Sequence, residues 1–339
     1  MRPRLIFSLL FLWLTGSTQS GVAQYSPGLL ALTQVAIIDS NHRTPLMNQT
    51  LLIFNGRIKD IFPTGSRPIP DSAVVINLNG KFVLPGLIDS HVHMATDPSD
   101  VDRRDHTLDV LHRMLYSGVT TVRDMAGDGR VLAGLAREAQ LHEIISPDIY
   151  YSALMAGPEF FADPRTATST KGGADGNMPY MQAVTDTTNL VLAVARAVGS
   201  GASGIKLYSN LSGPLVKKIV AEANRQNIIV YGHAWLQQAI PSDLVNAGVV
   251  SISHAPLVVH EMQREIPARW KQGPKDSKFW DDSLPDLSRL FNLMRTHRTI
   301  LDATLLTYKK WAETDTAMRW DYEIGKRIAA RAYRAGVTI

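Results

Sequence analysis

From Pro85 onward the chain alternates short apolar runs with amphipathic stretches of ten or more residues, and this rhythm admits few folds. Strands separated by helical segments come back into one sheet running parallel, because each crossover returns the chain to the same end of the sheet. The candidate strands are 86–92, 120–123, 149–153, 204–208, 228–233, 250–254, 299–305 and a run opening at Val337. Eight such units over about 250 residues have the size of a (β/α)8 TIM-type barrel. An α/β barrel is therefore expected over 85–339, cut at the start of its eighth strand. Ahead of it, residues 33–84 hold β-rich runs parted by turn residues, including Asn55-Gly56, which suits a two-residue hairpin. Residues 24–84 are read as a small β-sheet domain.

Residues 1–23 carry Arg2 and Arg4, a mostly apolar run of about ten residues over 5–14, and then small and polar residues. That is the pattern of a secretory signal peptide, and the apolar run is half the roughly 20 residues a membrane span needs. The expectation is an exported protein, periplasmic or secreted, with no stable membrane insertion once the signal is cleaved.

The sequence has no Cys, which excludes disulfides, iron–sulfur clusters and a thiol nucleophile. Any metal must be held by His, carboxylate or something less usual. The net charge of +4 is spread without a run of five or six like charges, so nucleic acid is not the expected partner. A small-molecule substrate is expected, and a homo-oligomer is compatible with the sequence.

The chemistry begins in GLIDSHVHM. Residues two apart on a strand face the same side, so His91 and His93 point into the barrel together, with Asp89 one step earlier. Two imidazoles at that spacing can chelate one borderline cation such as zinc. Structural histidines would give the same triplet, so register has to decide. Lys206 in SGIKLYSN, His233 in IIVYGHAW and His254 in VVSISHAP fall at the ends of three successive candidate strands, about one βα unit apart. A polar residue at the C-terminal end of a barrel strand points to catalysis rather than stability. A buried lysine without a carboxylate escapes the cost of burial by losing its proton. The neutral amine can then react with carbon dioxide to give a carbamate, a long carboxylate able to bridge two cations.

These stretches resemble the amidohydrolase superfamily, in its imidazolonepropionase-like and prolidase-like branch. The resemblance runs from LPGLIDSHVHM through SGVTTVRDM, GASGIKLYSN, IIVYGHAW and NAGVVSISHAP to RAYRAGVTI. It implies that His91 and His93 bind a first divalent metal, with zinc the expected ion, that Lys206 is the carboxylated bridging ligand, and that His233 and His254 bind a second. One or two such ions would activate water against an amide or related carbonyl, making the chain a metal-dependent hydrolase of cyclic amide, N-acyl or dipeptide bonds. The resemblance also implies an Asp in a Gly-Thr-Asp just after AGVTI, serving as ligand and acid/base, and a C-terminal stretch that completes residues 24–84 as a small N-terminal β-sandwich, so both domains look incomplete at the C-terminus. The sequence stops at Ile339 before that point, so a fragment of a longer protein is expected, with a non-catalytic metal-binding pseudo-enzyme as the alternative. Asp302 in LDATLL is the internal candidate to substitute.

Tyr208 and Tyr231 each share a face with a proposed ligand and could polarise a substrate carbonyl or simply pack. Arg123 and Asp124 read as an ion pair or a barrel-floor contact. The long connections 157–186 and 256–286 read as substrate-facing lids carrying Phe160, Phe161, Arg165, Tyr180, Arg269 and Trp270. His42, His106, His112, His142, His260 and His297 lack strand-end register; His260, in a lid, is the one worth testing.

Overall fold

The computed structural model describes residues 28–97, 103–262, 286–316 and 318–339. The signal-like stretch and the lid residues Arg269 and Trp270 lie outside the described residues. The chain divides into two compact units, one ending at Pro85 and the other running from Gly86 to Ile339.

In the first unit, β1 (Leu29–Ile37) pairs antiparallel with β2 (Leu46–Phe54) and parallel with β4 (Ala73–Asn77). Strand β3 (Arg57–Pro63) folds back on β2 through Asn55-Gly56, where φ is 49° and 71°. Two successive left-handed residues are what a hairpin turn of this length needs, since they match the twist of the strands. The short β5 (Phe82–Val83) pairs with the far end of β1 to complete a five-stranded sheet. Its core is Val35, Ile37 and Leu51.

The second unit is a sheet of parallel strands wrapped by helices. Its strands β6 (Leu87–Val92), β7 (Val119–Asp124), β8 (Asp148–Ala156), β11 (Gly204–Leu207), β12 (Ile229–His233), β13 (Ser251–Ser253) and β14 (Ile300–Asp302) pair in that order, every neighbour parallel. The helices are α1 (Arg104–Tyr116), α2 (Gly129–Gln140), α3 (Pro164–Ser169), α4 (Leu190–Gly199), α5 (Gly213–Arg225), α6 (Pro241–Ala247), α7 (Ser288–His297), α8 (Leu305–Thr314) and α9 (Met318–Arg334). Asp128, Asn189 and Ser212 start α2, α4 and α5 by accepting from Arg130 N, Leu192 N and Leu215 N. Each such cap is worth about 1 kcal/mol. Helix α9 buries Ile324, Gly325, Ile328, Ala329 and Ala332, one stripe at helical spacing. A side chain on Gly325 would meet Leu305 and Pro256 at 3.0 Å, so the glycine sets how closely α9 can pack.

The barrel is nearly closed, with β6 and β14 its outer strands. The seventh strand stops at Asp302 rather than reaching Leu305, because Thr304 turns to a left-handed φ of 49° and opens α8. The run from Val337 is not a regular strand; it reaches β14 through Leu301 N donating to Thr338 O at 2.9 Å.

The 157–186 connection is a built element and not an open lid. A 3-10 turn (Pro158–Ala162) leads into α3 and a hairpin of β9 (Asn177–Met178) and β10 (Met181–Ala183), and β10 adds parallel to the end of β8. Phe160 and Tyr180 are buried, and Tyr180 Oη donates to Ser169 O at 2.9 Å. These two rings hold the connection down.

Candidate active site

The ends of four strands bring the expected ligands into one place. Strand β6 supplies His91 and, one residue past its end, His93; β12 ends on His233; His254 follows β13. Ring centroids are 5.3 Å apart for His91 and His93, 5.0 Å for His91 and His254, and 4.4 Å for His233 and His254. Lys206 of β11 is fully buried and pairs in register with Tyr231, two residues before His233, so it shares the inward face. All five residues lie within electrostatic reach of one another.

Burial decides their protonation. It drives the His93 imidazole down to about 3, with repulsion from His91 second. His233 and His254 sit well below the ordinary histidine range, again through desolvation first and then their cationic neighbours. Burial also lowers His91, although its hydrogen bond to Asp302 opposes the shift. Desolvation pulls Lys206 down to about 7 against the attraction of Asp302. At neutral pH the cluster is therefore four uncharged imidazoles, the form that binds metal, beside a lysine poised to lose its proton.

The outward nitrogens are largely committed. His91 Nδ1 lies 2.6 Å from Asp302 Oδ2, His93 Nδ1 lies 3.2 Å from Ala126 O, and His254 Nδ1 lies 2.9 Å from Thr304 Oγ1. Burial opposes ionisation of Asp302, but the His91 hydrogen bond and charge, with Lys206 and Ser253, outweigh it and leave its carboxyl below the usual range. Asp302 Oδ2 thus accepts from His91 Nδ1. Lys206 Nζ donates to Ser253 Oγ at 2.6 Å, which donates to Asp302 Oδ2 at 3.0 Å.

This donor set fits a divalent cation in its chemistry. Buried neutral imidazoles with Nδ1 held from behind are the usual form of a metal-binding histidine, and the buried Nδ1 of His233 has no hydrogen-bond partner. The fit is one of composition and protonation rather than finished geometry: among the described residues, no three His, Asp or Glu side chains are already drawn together as a metal-holding group. The His91 ring instead meets His93 and His254 edge to face, and His233 and His254 are tilted at 51°.

The support behind the histidines is what the sequence did not announce. Asp124, fully buried, accepts from Met94 N at 2.5 Å and Ala126 N at 3.0 Å. It thereby fixes the backbone after His93 and the carbonyl that His93 meets. Ala126, His254 and Thr304 hold φ of 103°, 76° and 49° just beyond their strands. Left-handed backbone at such residues costs about 1–3 kcal/mol each and concentrates at functional sites.

Tyr208 lies one residue past β11, its ring 4.0 Å from His233 and 4.7 Å from Phe160, with burial raising its phenol. Arg165 reaches it electrostatically from α3. Tyr231 is buried deeper along its strand, under the Arg123 guanidinium at 4.1 Å. Arg123 also donates to Ser90 O at 3.0 Å, tying β7 to β6. His260 is buried and stacks on Trp235 at 3.6 Å, outside the ring cluster. His106 and His112 lie on α1, His297 ends α7, and His42 pairs with Asp39 in the first unit.

Residues 82–273, more than half of the chain, match the Amidohydrolase family. Among solved structures, the chain is similar to a prolidase complexed with N-methylphosphonate-L-proline, at 20% identity and a TM-score of 0.69 over 91% of this chain and 77% of that one. It is similar to a Xaa-Pro dipeptidase with methionine bound in its active site, at 21% identity and a TM-score of 0.69 over 92% and 78%. An ochratoxinase of A. niger follows at 18% identity and a TM-score of 0.66 over 92% and 75%. Likeness at these identities establishes the fold. A stretch of 67 residues is 42% identical to Protein LONG AFTER FAR-RED 3 of Arabidopsis thaliana, which is 19% of this chain and 11% of that protein.

Proposed function

The chain belongs to the amidohydrolase family, and from that premise we propose that it is a metal-dependent hydrolase of carbon–nitrogen bonds acting on a small cyclic amide, N-acyl or dipeptide substrate. One observation carries the reading: four buried, uncharged imidazoles converge beside a buried lysine, with three of the four held by their Nδ1 atoms from behind. His91 and His93 would hold one divalent cation, His233 and His254 a second, and Lys206, as a carbamate formed with carbon dioxide, would bridge them. Zinc suits imidazole donors, and when bound it would supply Lewis acidity and a water acidic enough to attack at neutral pH.

The chain's own residues do the rest. The Tyr208 phenol, kept protonated by burial, is a hydrogen-bond donor beside His233 and suits the oxygen of a polarised carbonyl. Phe160 walls the same side and excludes water. Prolyl dipeptides are natural first substrates because the similar prolidase and Xaa-Pro dipeptidase share the fold. The N-terminal signal pattern is read as directing the protein out of the cytoplasm.

The rival reading, a barrel that binds ligand without metal, draws on the unfinished metal geometry. Elemental analysis and turnover decide between them. Protein extended past Ile339 through the Asp that the resemblance implies, and purified with zinc, is expected to retain one or two ions per chain and to cleave members of a panel of Xaa-Pro, N-acyl and lactam substrates, with loss on chelation. Protein that keeps no transition metal under any loading condition would end the metal-dependent reading.

A further inference from the structure

Two residues behind the histidine cluster form a brace of their own. Asp302 Oδ2 is shared between His91 Nδ1 at 2.6 Å and Ser253 Oγ at 3.0 Å, while Ser253 Oγ accepts from Lys206 Nζ at 2.6 Å. Ser253 is fully buried, and the side chains of His91 and Asp302 are only 9% and 12% exposed. The ladder explains the meeting. His233 of β12 pairs with Ser253 of β13, which pairs with Asp302 of β14, so one row of inward side chains runs across three strands.

The hydrogen-bond directions are fixed by the donor inventory. Ser253 receives from the lysine, so its one proton goes to Asp302. A carboxylate only accepts, so the proton between it and His91 sits on Nδ1, and Nε2 keeps its lone pair. We propose that Asp302 and Ser253 are positioning residues of this site: Asp302 fixes the Nδ1–H tautomer and ring orientation of His91, and Ser253 fixes the Lys206 side chain. This rests on the metal-dependent reading above. It also assigns Asp302 a different part from that of a metal ligand or acid/base. Its Oδ2 is spent on two hydrogen bonds, and outer carboxylates of this kind typically change metal affinity 10–100-fold.

The test uses the full chain and two probes, zinc and cobalt(II). In the metal-free protein, ¹⁵N chemical shifts of the His91 ring are expected to report the Nδ1–H tautomer, and Asp302→Ala to move the ring toward Nε2–H. Zinc affinity by chelator competition is expected to fall about 10–100-fold in Asp302→Ala, with the same number of ions at saturation and unchanged cobalt(II) absorption bands. Asp302→Asn, whose side-chain carbonyl still accepts from Nδ1–H, is expected to recover part of the loss. It carries the test if the alanine variant does not fold. Ser253→Ala is expected to weaken zinc binding and Ser253→Thr to restore it. Unchanged tautomer and affinity in the Asp302 variants overturn the proposal; loss of a whole zinc equivalent or altered cobalt bands overturn it too, by making Asp302 a ligand. A wild-type chain that takes up no zinc would instead defeat the parent reading, and the tautomer comparison would still decide this one.

Discussion

His254 Nδ1 lies 2.9 Å from Thr304 Oγ1, and both residues hold left-handed backbone, with φ of 76° and 49°. A β-branched residue is a poor occupant of that region, so the hydroxyl is kept at a cost in backbone strain. Thr304→Gly is accordingly expected to raise the stability of the metal-free chain by about 1 kcal/mol while weakening zinc binding, because the His254 ring loses its partner. Urea denaturation and zinc competition measure the two effects separately. A variant less stable than the parent, or one with unchanged zinc affinity, contradicts the trade-off.

Lys206 presents the same conflict between stability and chemistry. It is fully buried, and its hydrogen-bond partner is a neutral hydroxyl. Replacing a buried charge with an apolar side chain of similar volume is often neutral or stabilising by about 1–4 kcal/mol. Lys206→Met is therefore expected to stabilise the metal-free chain and to lower its metal content. In Lys206→Ala, a small carboxylic acid such as propionate is expected to restore part of the metal by standing in for the carbamate. Full metal content without added acid would reduce Lys206 to a packed side chain.

The pH dependence follows from the depressed imidazoles and the depressed lysine. His93 falls from 6.5 to about 3 on folding, so between those values the unfolded chain binds more protons and stability drops as pH falls. Lys206 falls from 10.5 to about 7, so stability keeps rising as pH climbs from about 7 toward 10.5. Denaturation midpoints of the metal-free chain at pH 5, 7 and 9 are expected to increase in that order, with a few kcal/mol on the acid side. His93→Gln should lessen the acid limb without abolishing it, because His233 and His254 are also held well below the ordinary range. A maximum near pH 6 would mean that these groups are not buried uncharged.

The barrel and the ring cluster were legible because both are periodic signals. His91, His93, Lys206, His233 and His254 stand at strand ends, and strand ends repeat with the βα unit. What was not legible comes from tertiary convergence. Asp302 meets His91 across a sequence separation of 211 residues, and the sequence offered it only as a substitute for the missing Asp, not as a partner of His91. The Ala126 carbonyl and the turn at Thr304 depend on backbone angles that neither residue type advertises. The 157–186 connection looked like a lid because its length was visible, whereas the pairing of β10 with β8 that ties it down was not. Reading the seventh strand through to Leu305 failed at the same kind of place, a strained residue serving the site.

The two tyrosines offered by the sequence part company in depth. Tyr208 sits past the end of β11 against His233 at 4.0 Å, while Tyr231 lies within β12 beneath Arg123 at 4.1 Å. Only the first is placed beside the imidazoles at the mouth, where a carbonyl oxygen would develop charge. Loss of one preorganised donor to such an oxygen costs about 10²–10³ in kcat. Tyr208→Phe is thus expected to lower kcat by that order with little change in KM, since the ring and its contacts with His233 and Phe160 survive. Tyr231→Phe keeps the ring under Arg123 and is expected to change kcat less than about threefold, well under the effect of a lost donor. Steady-state kinetics on whichever prolyl or N-acyl substrate the zinc-loaded chain cleaves provide the comparison. Equal losses in both variants would place the reacting carbonyl deeper in the barrel, and a loss confined to Tyr231 would reverse the assignment.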